Sequence, residues 1–161
     1  MSNIKEQTLV LLKPDALQRN LLGRIIERFE QKGLKIVGLK MMQLGDVILD
    51  EHYAHHKDKP FFGGLKNFMK HSPIVAMVLE GLDAVKVVRV LCGPTLGREA
   101  TPGTIRGDFS MSVQANIVHS SDSLETAEKE IWRFFNADEI FDYSKIDFEH
   151  VYVEDERNGS R

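Results

Sequence analysis

A chain of 161 residues is long enough to bury a core without disulfide or metal staples. Charged residues at 28% and apolar residues at 42% describe a soluble globular protein, which excludes a disordered chain and a membrane-spanning one. The net charge of −3 gives no general attraction to nucleic acid or anionic lipid, so any polyanion must be met by a local basic cluster.

Cys92 is the only cysteine, which excludes an internal disulfide and fits a reducing compartment. Residues 1–7 carry no apolar leader segment, and no later run approaches membrane length. A cytoplasmic protein is expected, folded as one domain over residues 1–161 with a C-terminal arm from about residue 144. No internal repeat or linker divides it.

Thr8-Leu9-Val10-Leu11-Leu12 is a continuous apolar run, as expected of a central strand covered on both faces. Pro14 ends it, leaving Lys13 as a single positive charge at the tip of a buried strand, where a solvated turn lysine is the plainer reading. Leu22, Ile25, Ile26 and Phe29 recur at helical spacing and Gly33 closes that helix.

Residues 34–44 read as a long strand, with Leu34 and Ile36 on one face and Val37, Leu39 and Met41 on the other. A second helix is expected over 46–56. Its spacing puts His52, His55 and His56 on one face, but no second ligand motif accompanies them, so a polar helix face is preferred to a metal site. Phe61 and Phe62 open another helix and are adjacent, so one core cannot bury both equally. One of them is available to a cleft or to a further hydrophobic contact.

Residues 74–79 form a third apolar strand, and Asp83 is placed to cap a helix whose Val85, Val88 and Leu91 face inward with Arg89 on the flank. From Gly93 to Met111 breakers dominate, and a structureless stretch of that length inside a compact domain is usually functional or disordered. It carries Thr95, Arg98, Thr104, Arg106 and Asp108, and its loop character predicts that Arg106→Ala harms activity far more than stability. Asn116-Ile117-Val118-His119 then delivers a histidine to a strand end. Asp122 and Glu125 are spaced as helix N-cap and N3, and Leu124, Ala127, Ile131 and Phe134 continue that helix. The polar tail beyond Tyr143 is expected to end unfolded.

Stripped of its extra helices, the order is βαββαβ. That is an α/β (α+β), ferredoxin-like plan with a four-stranded antiparallel sheet, its helices packed on one face. There is no P-loop, no Rossmann or protein-kinase signature and no nucleophile elbow. What remains is one imidazole, one strand-tip lysine, and arginines with a threonine around a Gly/Pro loop. Arginine forks match phosphate oxygens, so Arg89 and Arg106 near His119 would build a polyphosphate cradle. An imidazole attacking phosphorus would split a transfer into two steps.

Asn116-Ile117-Val118-His119-Ser120-Ser121-Asp122-Ser123 resembles the signature of nucleoside diphosphate kinases. So do Pro102-Gly103-Thr104-Ile105-Arg106-Gly107-Asp108-Phe109, Thr8-Leu9-Val10-Leu11-Leu12-Lys13-Pro14-Asp15, and the segment from Tyr53 to Phe62. The resemblance implies ping-pong transfer of a γ-phosphoryl group from a nucleoside triphosphate, mainly ATP, to a nucleoside diphosphate. His119 matches the histidine phosphorylated at Nδ1. Glu130, with Ser121, matches the groups that hold its ring. Arg89, Thr95 and Arg106 match phosphate ligands, Lys13 and Asn116 the groups at the ribose, and Tyr53 a phenol near the histidine. Phe61 matches the aromatic on which the base stacks, and stacking reads no base-edge pattern.

The same resemblance implies Mg²⁺ carried on the phosphates, with no metal site of the protein's own. It implies a homo-oligomer, hexamer or tetramer, with no membrane and no nucleic-acid partner. Two departures stand out: Ser120 replaces the family's usual glycine, and Leu96-Gly97 replaces its usual Asn-Pro, which puts hexamer stability in doubt. One geometric tension is internal. Asn116 and His119 are three apart, so a regular strand would send them to opposite faces unless it begins or bends between them.

Overall fold

The computed structural model describes residues 5–158. In chain order it runs β1 (Glu6–Leu12), α1 (Pro14–Gln18), α2 (Leu22–Gln31), β2 (Lys35–Met42), α3 (Asp46–His52), α4 (Phe62–Lys70) and β3 (Ile74–Gly81). Then follow α5 (Ala84–Cys92), α6 (Ile105–Phe109), β4 (Val118–Ser120), α7 (Leu124–Phe134), α8 (Phe148–Val151) and α9 (Glu154–Arg157). The sheet order is β2-β3-β1-β4 with every pairing antiparallel, the ferredoxin-like arrangement that the βαββαβ order predicts.

Strand alternation divides the core. Val10 and Leu12 of β1 face one layer, with Ile25 and Phe29 of α2 and Val88 and Cys92 of α5. Leu9 and Leu11 face the other, with Leu49 of α3, Leu65 and Met69 of α4, and Ile131 and Phe134 of α7. Helices therefore cover both faces of the sheet and not one. The expectation of a single helical layer fails because the helices set aside as extras, α3, α4 and α7, pack on the second face. Ile25 and Phe29 lie four apart on one stripe of α2 and are fully buried, and Gly33 (φ +97°) ends that turn as expected. Truncating Phe29 to alanine would cost about 3–5 kcal/mol.

Several local expectations are corrected. In β2 the register slips between Ile36 and Gly38, so Val37 is an extra residue. Beyond this bulge Leu39 pairs with Met77 and Met41 with Val75. That moves Leu39 and Met41 to the face opposite Val37, where they stay 50% and 58% exposed. The helix expected over 46–56 stops at His52, and a separate 3-10 turn spans Ala54–His56. His52 turns inward while His55 faces solvent, so the three histidines do not share a face. Asp83 holds the N-cap position of α5 at φ +50°, yet its side chain makes no cap bond; the Glu6 carboxylate accepts from the Val85 amide instead, at 3.3 Å.

The Gly93–Met111 stretch is not structureless, since it contains a 3-10 turn (Gly97–Glu99) and α6, whose cap is the Thr104 hydroxyl accepting from the Gly107 amide. The cap of α7 is Ser123 and not Asp122. The chain stays extended through Ser123, whose Oγ accepts from the Thr126 amide at 3.1 Å, and Glu125 pairs with Lys129. Leu124 consequently points outward. The arm runs back along the body, with the Tyr143 hydroxyl donating to Ile36 O at 2.7 Å and Tyr152 Oη accepting from the Leu82 amide at 3.2 Å. The arm carries helix as far as Arg157, and the unfolded end expected for the tail falls on its last residues, of which 159–161 lie outside the described residues. Among the described residues no helix is long and apolar enough to cross a membrane.

What positions the site is the entry to β4. The Val118 amide donates to Asn116 O at 2.8 Å, closing a three-residue γ-turn centred on Ile117 at φ +76°. This is the rare positive-φ hand of that turn, and a β-branched residue held there costs on the order of 1–3 kcal/mol. It resolves the parity tension: the strand begins only at Val118, and the turn before it lets Asn116 and His119 line the same cavity.

Candidate active site

A cavity of about 1120 Å³ opens at the β4 edge of the sheet. Lys13 reaches it from the tip of β1, Tyr53 and Phe61 from the α3–α4 connection, and Arg89 from α5. Thr95, Arg106 and Asn116 line it from the following segment, His119 from β4 and Glu130 from α7. Of the residues that the resemblance assigns to the site, Ser121 alone does not line this cavity, and Arg98, Thr104 and Asp108 of the Gly/Pro loop also stay outside it.

His119 lies on β4 opposite Leu11, its side chain about a quarter exposed. Its Nε2 is 2.5 Å from Glu130 Oε2. A carboxylate only accepts, so Nε2 carries a proton, and in the neutral ring the lone pair is then on Nδ1. Glu130 is presented from the buried stripe of α7 with Ala127, Ile131 and Phe134. Ser121 is fully buried, and its amide continues the ladder onto Leu9 O, but its hydroxyl has no hydrogen-bond partner among the described residues. The expected Ser121 support of Glu130 is therefore not made here.

His52 is the residue that sequence reasoning missed. Its Nδ1 stands 3.3 Å from Glu130 Oε2 and 3.2 Å from Arg133 Nη1, and its ring meets His119 edge-on at 4.6 Å. Burial first, then the neighbouring His119 and Arg133, push His52 far below the ordinary imidazole range and hold it neutral. The sequence signal was its place beside Tyr53, obscured by the two histidines that follow. Tyr53 is buried, its hydroxyl has no hydrogen-bond partner among the described residues, and burial, reinforced by Glu130, raises its phenol.

His52, His119 and Glu130 bring three ligand-type atoms within 4.8 Å of one another. Two imidazoles and one carboxylate do not suit Mg²⁺, which prefers an all-oxygen shell. The carboxylates of the cavity are Glu51, Asp122 and Glu130, the last already bound to His119.

The cations are held in different ways. Lys13 is not a solvated turn residue; it is 7% exposed and donates to Asn116 Oδ1 at 2.8 Å. Burial, then the Arg106 guanidinium, lower its pKa from 10.5 to about 8 against the opposing pull of Asp15. Arg106 is buried, with Nε on Asn116 O (3.2 Å), Nη1 on Gly93 O (2.6 Å) and Nη2 on Val118 O (2.5 Å). Arg89 is exposed, and its guanidinium makes no direct hydrogen bond among the described residues. Asn116 is saturated, its Nδ2 donating to Thr95 O at 2.9 Å and Val113 O at 3.0 Å.

At the opposite lip Phe62 packs on the second core layer while Phe61 is 47% exposed, with the His56 ring edge-on at 5.1 Å. The two departures from the family pattern are both accommodated. Ser120 is not among the residues with positive φ, so its backbone carries no strain of that kind. Gly97 is required where it stands, because a Cβ there would lie 2.4–2.6 Å from Ser110 atoms, and its amide donates to Ser112 O at 3.3 Å.

A ferredoxin-like sheet with an imidazole–carboxylate pair and three cations around one cleft is the architecture of a phosphotransferase. Residues 6–140 match the nucleoside diphosphate kinase family, and the chain belongs to that family. It is 58% identical to a nucleoside diphosphate kinase of Parabacteroides distasonis, over 94% of this chain and 99% of that one. It is 51% identical to human nucleoside diphosphate kinase A, over 91% and 97%. A nucleoside diphosphate kinase of Halobacterium salinarum, solved in complex with CDP, superposes with a TM-score of 0.90 at 46% identity, over 92% of this chain and 99% of that one.

Proposed function

We propose that the chain moves a γ-phosphoryl group from a nucleoside triphosphate to a nucleoside diphosphate in two half-reactions through His119. Nδ1 attacks the γ-phosphorus, the bond to the β-phosphate oxygen breaks, and the diphosphate leaves; a second diphosphate then attacks the phosphohistidine in reverse. The observation that carries this reading is the Nε2–Glu130 bond of a ring that lines the cavity, which puts the neutral ring's proton on Nε2 and leaves Nδ1 as the nucleophile. As phosphorus bonds to Nδ1 the ring gains positive charge, which the Glu130 carboxylate offsets.

Lys13, Arg89 and Arg106 supply the charge that neutralises the phosphate tail, with Thr95 beside it; Tyr53 faces the reacting group, and Lys13 with Asn116 meets the ribose. Phe61 offers an exposed face for the base, which supports broad base tolerance. Mg²⁺ would be held chiefly by the phosphates, where it would supply further charge neutralisation. The family's oligomeric habit, and the exposed Leu39 and Met41 on edge strand β2, support a homo-oligomer. A single domain in the cytoplasm is the simplest setting for this chemistry.

Incubation with γ-labelled ATP should leave acid-labile, base-stable label on His119, and His119→Ala should lose activity by at least about 10⁴-fold. Label on no histidine, or normal turnover by that variant, would overturn the reading.

A further inference from the structure

The positive-φ turn at Ile117 does not hold itself. A buried isoleucine relaxes toward extended backbone unless its amide and carbonyl are fixed from outside. Two groups fix them, both at the end of β1. Asp15 Oδ2 accepts the Ile117 amide at 3.0 Å, and the Lys13 amide donates to Ile117 O at 2.8 Å. The second contact is backbone to backbone, which any residue at position 13 but proline could make. The first depends on the side chain at position 15. Oδ1 of Asp15 is buried without a hydrogen-bond partner among the described residues, and the carboxylate otherwise faces only its own end of α1, the Ala16 amide and the Lys13 charge. The bond to the Ile117 amide is the contact that reaches across to the turn.

The geometry points to Asp15 as a positioning residue, a latch that keeps Ile117 in its turn and so keeps Asn116 facing the cleft. This rests on the reading of the cleft given above. The two sides of the turn differ in what else supports them. On the far side, His119 is paired with Leu11 in the β1–β4 ladder and tied to Glu130, and neither contact involves Asp15. On the near side, the Asn116 side chain bridges Lys13, Thr95 O and Val113 O, and that bridge depends on how the turn presents it. Releasing the latch lets Ile117 extend, and Asn116 swings away from Lys13 while His119 stays on Glu130. The nucleophile survives; the groups that hold the nucleoside do not.

That asymmetry is testable with two phosphoryl donors, ATP and phosphoramidate, the second having no nucleoside. Asp15→Ala should raise the nucleotide KM by about tenfold or more while the rate of His119 phosphorylation by phosphoramidate stays within about twofold. Asp15→Asn keeps an oxygen acceptor for the Ile117 amide and should rescue KM to within about threefold of the parent. Hydrogen exchange supplies a readout independent of turnover: the Ile117 amide loses protection in Asp15→Ala and keeps most of it in Asp15→Asn.

If Asp15→Ala does not fold, Asp15→Glu, whose carboxylate is displaced by one methylene, should shift KM in the same direction. Equal losses with both donors, an unchanged nucleotide KM, or an Ile117 amide still protected in the alanine variant would each overturn the latch. If the parent protein is phosphorylated by neither donor, the histidine mechanism fails, and amide exchange at Ile117 alone decides the role of Asp15.

Discussion

The two walls of the cleft are built by opposite rules. The wall at the end of β1 is interior: Lys13, Arg106 and Asn116 are buried, and their polar atoms are spent on one another and on backbone carbonyls. The opposite lip, from His55 to Phe61, is half open and held by aromatic contacts, with the His56 ring against Phe61. A buried polar group left without its partner costs stability, while an exposed ring removed from a lip costs little. Binding residues on the first wall should therefore be inseparable from folding, and those on the second separable.

The largest effect is expected from Arg106→Ala, which strips hydrogen bonds from three backbone carbonyls. At about 1 kcal/mol each the variant should lose about 2–4 kcal/mol of stability. Its melting temperature should fall by about 6–12 °C, and kcat/KM should fall by about 10³-fold. Loop character in the sequence predicted that activity would suffer far more than stability; the three carbonyl contacts predict a substantial loss of stability as well. Arg89→Ala is the control for the proposed phosphate contacts: with an exposed guanidinium that makes no direct hydrogen bond among the described residues, it should cost about 10²-fold in kcat/KM with stability unchanged within about 0.5 kcal/mol. Equal melting temperatures for the two variants would break the contrast.

Phe61→Ala tests the other wall. A lost base stack is worth about 1–3 kcal/mol, so the nucleotide KM should rise at least about fivefold while kcat and the thermal melt hold. A falling melt would mean that the lip is as integral to the fold as the β1 wall.

Arg106 also shows what a linear sequence conveys and what it withholds. The sheet, its order and the burial of β1 and β3 were legible because unbroken apolar runs and helical spacing are local signals. Both arginines were visible as phosphate-seeking side chains, but nothing local says that one is buried against three carbonyls. Val37 as a bulge residue, Ser123 in place of Asp122 as a cap, and His52 turned toward Glu130 are likewise set by tertiary packing. The parity conflict between Asn116 and His119 was legible as a conflict. Its solution at Ile117 was not, since isoleucine is among the last residues that propensity would place at φ +76°.

A smaller effect follows from Lys13, whose pKa is lowered to about 8 by burial and by Arg106. The unfolded chain keeps the ordinary lysine value of 10.5, so between about 8 and 10.5 it binds a proton that the folded chain does not. Stability from this group therefore rises with pH across that window. Binding moves the other way, because the free cleft loses a cation above about pH 8. Titrating the nucleotide KM from pH 7 to 9.5 should show it rising several-fold, and Lys13→Met, already without the charge, should show no such rise. A parallel rise in both proteins would assign the effect to another group.

The smallest effect belongs to Ser120→Gly, which restores the family's usual residue beside the nucleophile. If serine were strained there, glycine would stabilise the protein. Ser120 lies within β4 without positive φ, and its hydroxyl hydrogen-bonds the buried Cys92 thiol. Glycine would surrender that bond and add backbone freedom to the unfolded chain. The variant should thus be less stable by about 1 kcal/mol, a fall of about 2–4 °C in melting temperature. Phosphohistidine formation should proceed at the parent rate, since the His119–Glu130 pair is untouched. A variant that melts higher than the parent would show that the serine is tolerated at a cost, and that the first wall stores strain at a second position besides Ile117.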